Sequence, residues 1–235
     1  AGIVVACAIG AGALWLLSRS GSSPSPPGAR ISAPPLAAPA PQPDAWIELE
    51  RSVLAAGRID PPSILRLLRP VAQTSRGSES LGAAELHPAG EVIEDVQPAF
   101  AWTATPQASY VVTIFAGDEP VANSGPVSAP QWKPPRPLRR GTTYFWQVET
   151  RRADGSSAIA PAPPQPEAFF RIADASTLAG IAAAGRAHPG DRLLLAILYA
   201  RAGMKIRALA ELDSHLASHP SDRRAAVLAD GIRRW

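Results

Sequence analysis

Between residues 81 and 172 the apolar residues recur at every second position, and on either side of that stretch they recur at helical spacing. A period of two buries one face of a strand, whereas a period of 3.6 buries one stripe of a helix. The chain is therefore predicted to hold strands in its middle and helices at its flanks. Phe100 and Trp102 share one strand face, as do Tyr110, Val112 and Ile114, and then Tyr144, Trp146 and Val148. Glu91–Ile93 and Ala168–Ile172 are shorter candidates, and Trp132, between Pro130 and Pro134, suits a short edge strand. Gly117-Asp118 and Asp154-Gly155 mark turns between them. Only 6% of the chain is aromatic, so this concentration of rings marks a core. Burying one such side chain contributes about 2–3 kcal/mol. Short alternating strands separated by turn residues over 81–172 predict an all-β sandwich. Phe145 falls on the face opposite Tyr144 and Trp146, which makes it the candidate interaction residue, an exposed ring suited to stacking on a sugar.

The flanking helices carry their own punctuation. In 45–71 two short helices are expected. Trp46, Leu49, Val53 and Leu54 follow helical spacing up to Gly57, and Asp60-Pro61-Pro62 opens the second run. Residues 72–80 are a polar break. In 174–235 one pattern recurs, His188-Pro189-Gly190-Asp191-Arg192 and His219-Pro220-Ser221-Asp222-Arg223. Asp beside a helix start is a capping signal, so the repeat marks two equivalent helix beginnings. A helix pair is expected over 191–218, with neighbours over 175–187 and 222–234. Glu211, His215 and His219 have the i, i+4 spacing of metal ligands, but a solvated helix face explains them, and no metal site is predicted.

Residues 1–18 are apolar and predict a transmembrane helix, with Trp15 at its edge and Arg19 beyond it. Residues 19–44 hold eight prolines and read as a disordered, semi-rigid tether. Cys7 is the single cysteine, which excludes an intrachain disulfide and a thiolate zinc cluster. The net charge of +3 is spread along the chain, so no nucleic-acid partner is expected. The sequence has no Gly-rich phosphate loop, no HExxH and no GxSxG. A non-catalytic chain without cofactors is the expectation.

Leu138, Gly141-Thr142 and Tyr144, together with Trp102, resemble the fibronectin type III pattern, although Arg140 stands where that pattern usually has Pro. The resemblance implies an immunoglobulin-like sandwich in which the Tyr144 hydroxyl bonds backbone at a corner. Leu195, Tyr199, Gly203, Ala208, Leu212 and Pro220 are similar in spacing to a tetratricopeptide repeat, with departures at Arg192, Ala196 and His215. The order of span, tether, short helices, sandwich and helical tail resembles the extracytoplasmic half of bacterial membrane proteins of the zinc-finger, anti-sigma factor-like family. That resemblance implies a multidomain, single-pass protein of the bacterial inner membrane. Residues 1–17 would lie in lipid and the folded part in the periplasm, as a sensor or scaffold for an unknown protein or envelope ligand. A cell-surface structural or carbohydrate-binding protein, or an accessory domain of an envelope enzyme, is the alternative. None of the zinc ligands of that family's cytoplasmic domain is in this sequence.

Overall fold

The computed structural model describes residues 43–68, 85–162 and 167–235. The expected span over 1–18, the tether up to residue 42 and the polar break over 72–80 lie outside the described residues. Among the described residues, no helix is long and apolar enough to cross a membrane. The described residues fall in one compact unit, so the short helices, the strands and the helical tail are built together.

Among the described residues, eight strands form two sheets. They are β1 (Glu91–Ile93), β2 (Phe100–Ala101), β3 (Ala108–Ala116), β4 (Glu119–Val127), β5 (Gln131–Trp132), β6 (Thr143–Arg152), β7 (Ser157–Ala160) and β8 (Ala168–Ile172). The larger sheet is six-stranded, in the order β1-β8-β6-β3-β4, with β7 also paired to β6; the smaller holds β2 and β5. β1 runs parallel to β8 while the other pairs are antiparallel, so the larger sheet is mixed. Helices α1 (Pro43–Ala56), α2 (Ser63–Leu68), α3 (Ala175–Ala187), α4 (Arg192–Arg201), α5 (Lys205–Ser218) and α6 (Arg223–Arg233) complete the described residues. Six helices beside a mixed sheet make this an α/β arrangement, with the strands between 91 and 172 and the helices on either side of them.

The alternation of the strands decides what is buried. Tyr110, Val112 and Ile114 of β3, Tyr144, Trp146 and Val148 of β6, and Ala168, Phe170 and Ile172 of β8 fill one core. Phe100 of the smaller sheet and Trp102, just past its end, press into it. The Phe100 ring lies 5.0 Å from Trp146 and 5.5 Å from Phe170. Leu138 is buried in the same cluster, and Trp132 is half-buried at its edge, 5.9 Å from Phe100. Two tyrosine hydroxyls close corners of the chain. Tyr144 accepts from the Arg139 N–H at 2.9 Å, and Tyr110 accepts from the Thr105 N–H at 2.7 Å.

β4 and β7 carry no sequence signal of their own. Pro120 and Pro126 make β4 read as a loop, but an edge strand tolerates proline where its missing N–H faces outward. The register of β3 against β4 slips twice, and the Ser124 hydroxyl accepts the Val112 N–H at 2.9 Å within the slipped stretch. β7 is small and exposed, so no alternation marks it.

A second core joins the helices to the sheet. Leu65 and Leu68 of α2, Val92 of β1, and Tyr199, Ala208 and Leu212 of α4 and α5 share it. Leu195 packs on that core half-buried, whereas Pro220 is exposed. Asp191 and Asp222 cap α4 and α6, each carboxylate accepting first-turn N–H groups. α4 ends at Gly203, whose φ is +80°. The Gly203 N–H donates to the Ala200 carbonyl and the Met204 N–H to the Tyr199 carbonyl, the paired bonds of a glycine helix stop. A Cβ on Gly203 would meet Val92 at 2.9 Å and both Ile64 and Leu65 at 3.3 Å. Gly203→Ala is therefore expected to lower stability by about 2 kcal/mol, through left-handed strain plus overpacking. Gly155→Ala, also at positive φ but with open space around it, should cost less. Urea unfolding of both variants measures the difference.

Candidate functional site

β1 is short, and both of its edges are held. On one side it pairs with β8, and on the other the Val92 N–H reaches the Gly203 carbonyl at 3.3 Å. This second bond brings the start of α5 over β1. Alternation then sends Val92 into the helical core, while Glu91 and Ile93 turn the other way. Above them opens a cleft of about 650 Å³, a size suited to a small ligand or a few side chains. A second cavity of about 400 Å³ adjoins it, and His87, Glu91 and Ile206 line both.

Ile93, Val96, Pro98 and Ala99 make the first cleft's wall mostly apolar, and Ile206 stands at its mouth, 55% exposed. The charged groups differ in how they are held. The Arg207 guanidinium lies 3.5 Å from the Glu94 carboxylate and 5.1 Å above the Tyr199 ring. Arg140 donates to the Glu94 backbone carbonyl at 3.0 Å. Asp95 accepts from the Gln97 N–H at 2.8 Å and has Lys133 at 3.4 Å.

Glu91 is the exception. It is 7% exposed, the single charged residue type buried among the described residues. Its Oε1 sits 3.1 Å from His87 Nδ1. Lys205 of α5 also acts on it, but its ammonium donates to the backbone carbonyls of Arg233 and Trp235, each at 3.0 Å. Burial pushes the Glu91 carboxyl up to about 7, against the weaker pull of Lys205. The cleft thus ends on an acid that changes charge near neutral pH, beside the His87 ring.

A second titratable group lies where α1 meets α4. Burial, and then the neighbouring Asp191 carboxylate, raise Glu50 above the usual carboxylate range. Asp222 moves the other way, because His215 and two helix N–H groups bond its charged form. The helical triplet Glu211, His215 and His219 is not assembled as one site. Glu211 takes Arg192 at 2.9 Å, His215 takes Asp222 at 3.0 Å, and His219 stacks on the His215 ring. Among the described residues, no cluster of three metal-ligating side chains occurs.

Phe145 lies on the outer face of the larger sheet, between Phe115 of β3 and Phe169 of β8. Its ring stacks on Phe115 at 4.6 Å with 6° between planes, and Phe169 approaches from the other side at 5.8 Å. The ring therefore belongs to a cross-strand aromatic row.

Sequence reasoning treated Glu91 only as the start of a strand. The usable signal was its spacing. An acid two residues from Ile93 in a strand lies on the same face as that apolar side chain. No family model matches the chain, and no curated protein matches it.

Proposed function

We propose that this chain is a non-catalytic, membrane-tethered extracytoplasmic module that binds a partner in the cleft between β1 and α5. It is read as the outer half of an anti-sigma factor-like regulator. The strand part fits a fibronectin type III-like sandwich, on the strength of the Tyr144 corner and of Phe100 and Trp102 facing β6. The helix pair α4–α5 fits a tetratricopeptide-like hairpin, on the strength of the Gly203 stop and the buried small Ala208.

The observation that carries the functional reading is the composition of the cleft wall. Ile93 and Arg140 come from the strand part, whereas Ile206 and Arg207 come from the helical tail. An occupant touches both, so its binding energy bears on how they pack, and that is what a sensor requires.

Two measurements test the reading. Alkaline phosphatase fused after Trp235 should be active, and green fluorescent protein at the same point dark; the reverse pattern refutes an extracytoplasmic location. A photo-crosslinking amino acid at Ile206 should give a defined adduct in cells, absent when it is placed at the exposed turn residue Asp118. Identical adducts from both positions, or none, would rule out the cleft as the binding site.

A further inference from the structure

We propose that the cleft binds an alkylammonium group, with the ammonium head on Glu91 and the aliphatic stem along Ile93 and Val96. This rests on the cleft being a binding site and adds the chemistry of its occupant. Buried carboxylates are ordinarily paired with a cation. The rim carboxylates have theirs, Glu94 with Arg207 and Asp95 with Lys133. Glu91, the deepest of the three, has only an imidazole in contact, because the Lys205 ammonium is engaged by two backbone carbonyls. A ligand cation would complete the pair.

The geometry also selects the kind of cation. A guanidinium binds a carboxylate best through two parallel bonds, one to each oxygen. At Glu91 one oxygen already faces His87 Nδ1 at 3.1 Å. A compact ammonium needs only the other. Its stem then lies on apolar wall, as lysine stems do elsewhere. The free oxygen therefore favours a lysyl side chain or a free alkylamine over an arginyl one.

Binding a cation favours the ionised carboxyl, which burial otherwise holds neutral up to about pH 7. Affinity should rise as pH increases from 5 to 8, and at pH 6 binding should release protons. The groups that bear on this are Arg66, His87, Glu94, Asp95, Arg140, Lys205 and Arg207, from α2, the segments flanking β1, the turn before β6, and α5.

The test is isothermal titration of the full chain with n-butylammonium, 1-butanol and n-butylguanidinium, in two buffers of different ionisation enthalpy. The expected result is that n-butylammonium binds at least about tenfold more tightly than the other two, as a charge-assisted bond implies. Glu91→Gln should remove that preference. So should Ile206→Lys, which puts a competing charge at the mouth from an exposed position. An acetyl-Leu-Lys-Leu-amide arm identifies the source. Tighter binding than n-butylammonium means a lysyl side chain in a peptide, and weaker binding means a free amine. Equal affinity for 1-butanol, tighter binding of the guanidinium, or unchanged affinity in Glu91→Gln overturns the proposal. If the Ile206 crosslink is present while n-butylammonium fails, the cleft binds a partner of different chemistry; if both fail, the binding-site reading fails too.

Discussion

Trp146→Ala should lower the stability of the folded chain by about 3–5 kcal/mol, the range for emptying a large aromatic site in a core. The indole is fully buried. It stands opposite Ile114 on β3 and Ala168 on β8, with Phe100 at 5.0 Å and Trp102 at 6.3 Å from above. Ile114, Ala168 and Phe100 belong to strands with their own hydrogen-bond ladders, so they are poorly placed to collapse into the void. The Nε1–H also donates to the Pro88 carbonyl at 2.8 Å, which tethers the segment leading into β1. Its loss adds roughly 1 kcal/mol. Trp146→Phe keeps a ring and loses mainly that bond, so it should cost clearly less. Trp132→Ala, at a half-exposed edge of the same core, should cost less than about 2 kcal/mol. Urea unfolding followed by circular dichroism ranks the three. A Trp146→Ala loss below that of Trp132→Ala would show that the space between the sheets is not where the strand part is held together. For a domain of ordinary stability, about 5–15 kcal/mol, the expected loss is large enough to populate unfolded chain.

The parts of this architecture visible in the sequence are those set by local chemistry. Tyr110, Val112 and Ile114 alternate because a strand with one buried face demands it, and the rings of β6 stand out for the same reason. Asp191, Asp222 and Gly203 mark helix ends because capping bonds form within a few residues. β4 stayed hidden because Pro120 and Pro126 oppose a strand locally, and only its pairing with β3 overrides them. The parallel partner of β1 lies at Phe170, more than seventy residues away, so no local pattern announces a mixed sheet. Glu91 was hidden for the same reason. A glutamate opening a three-residue strand reads as solvated. What surrounds it comes from distant segments, Leu65 and Arg66 of α2 and Lys205 and Ile206 of α5, the latter held beside β1 by the bond from Val92 to Gly203. The burial of one ionisable side chain is thus a property of contacts between distant segments, and so is the site that depends on it.

That burial predicts how stability varies with pH. The Glu91 carboxyl is raised from 4.5 to about 7 by desolvation, with Lys205 opposing. A raised acid binds its proton more tightly when folded, so the folded state is favoured most where the carboxyl is protonated in both states, below about pH 4.5. The advantage is lost as pH rises through about 7, and above that the folded protein holds an unfavourable buried charge. Integrated over the interval, the loss is roughly 3 kcal/mol. Glu50 is raised as well and contributes in the same direction, whereas Asp222, which is lowered, acts only in more acid solution. The clean quantity is therefore the difference between the wild type and Glu91→Gln, in which both of those groups remain. Unfolding free energies of the two proteins should lie close together near pH 5, with the variant more stable by roughly 3 kcal/mol at pH 8. Parallel curves across that range would mean that Glu91 is hydrated or permanently paired. A neutral carboxyl at the foot of an apolar cleft is what the packing of β1 against α5 imposes, and an incoming cation would convert that cost into affinity. Addition of n-butylammonium at pH 8 should accordingly raise the wild type's unfolding free energy and leave Glu91→Gln unmoved, because a ligand stabilises only the state that binds it.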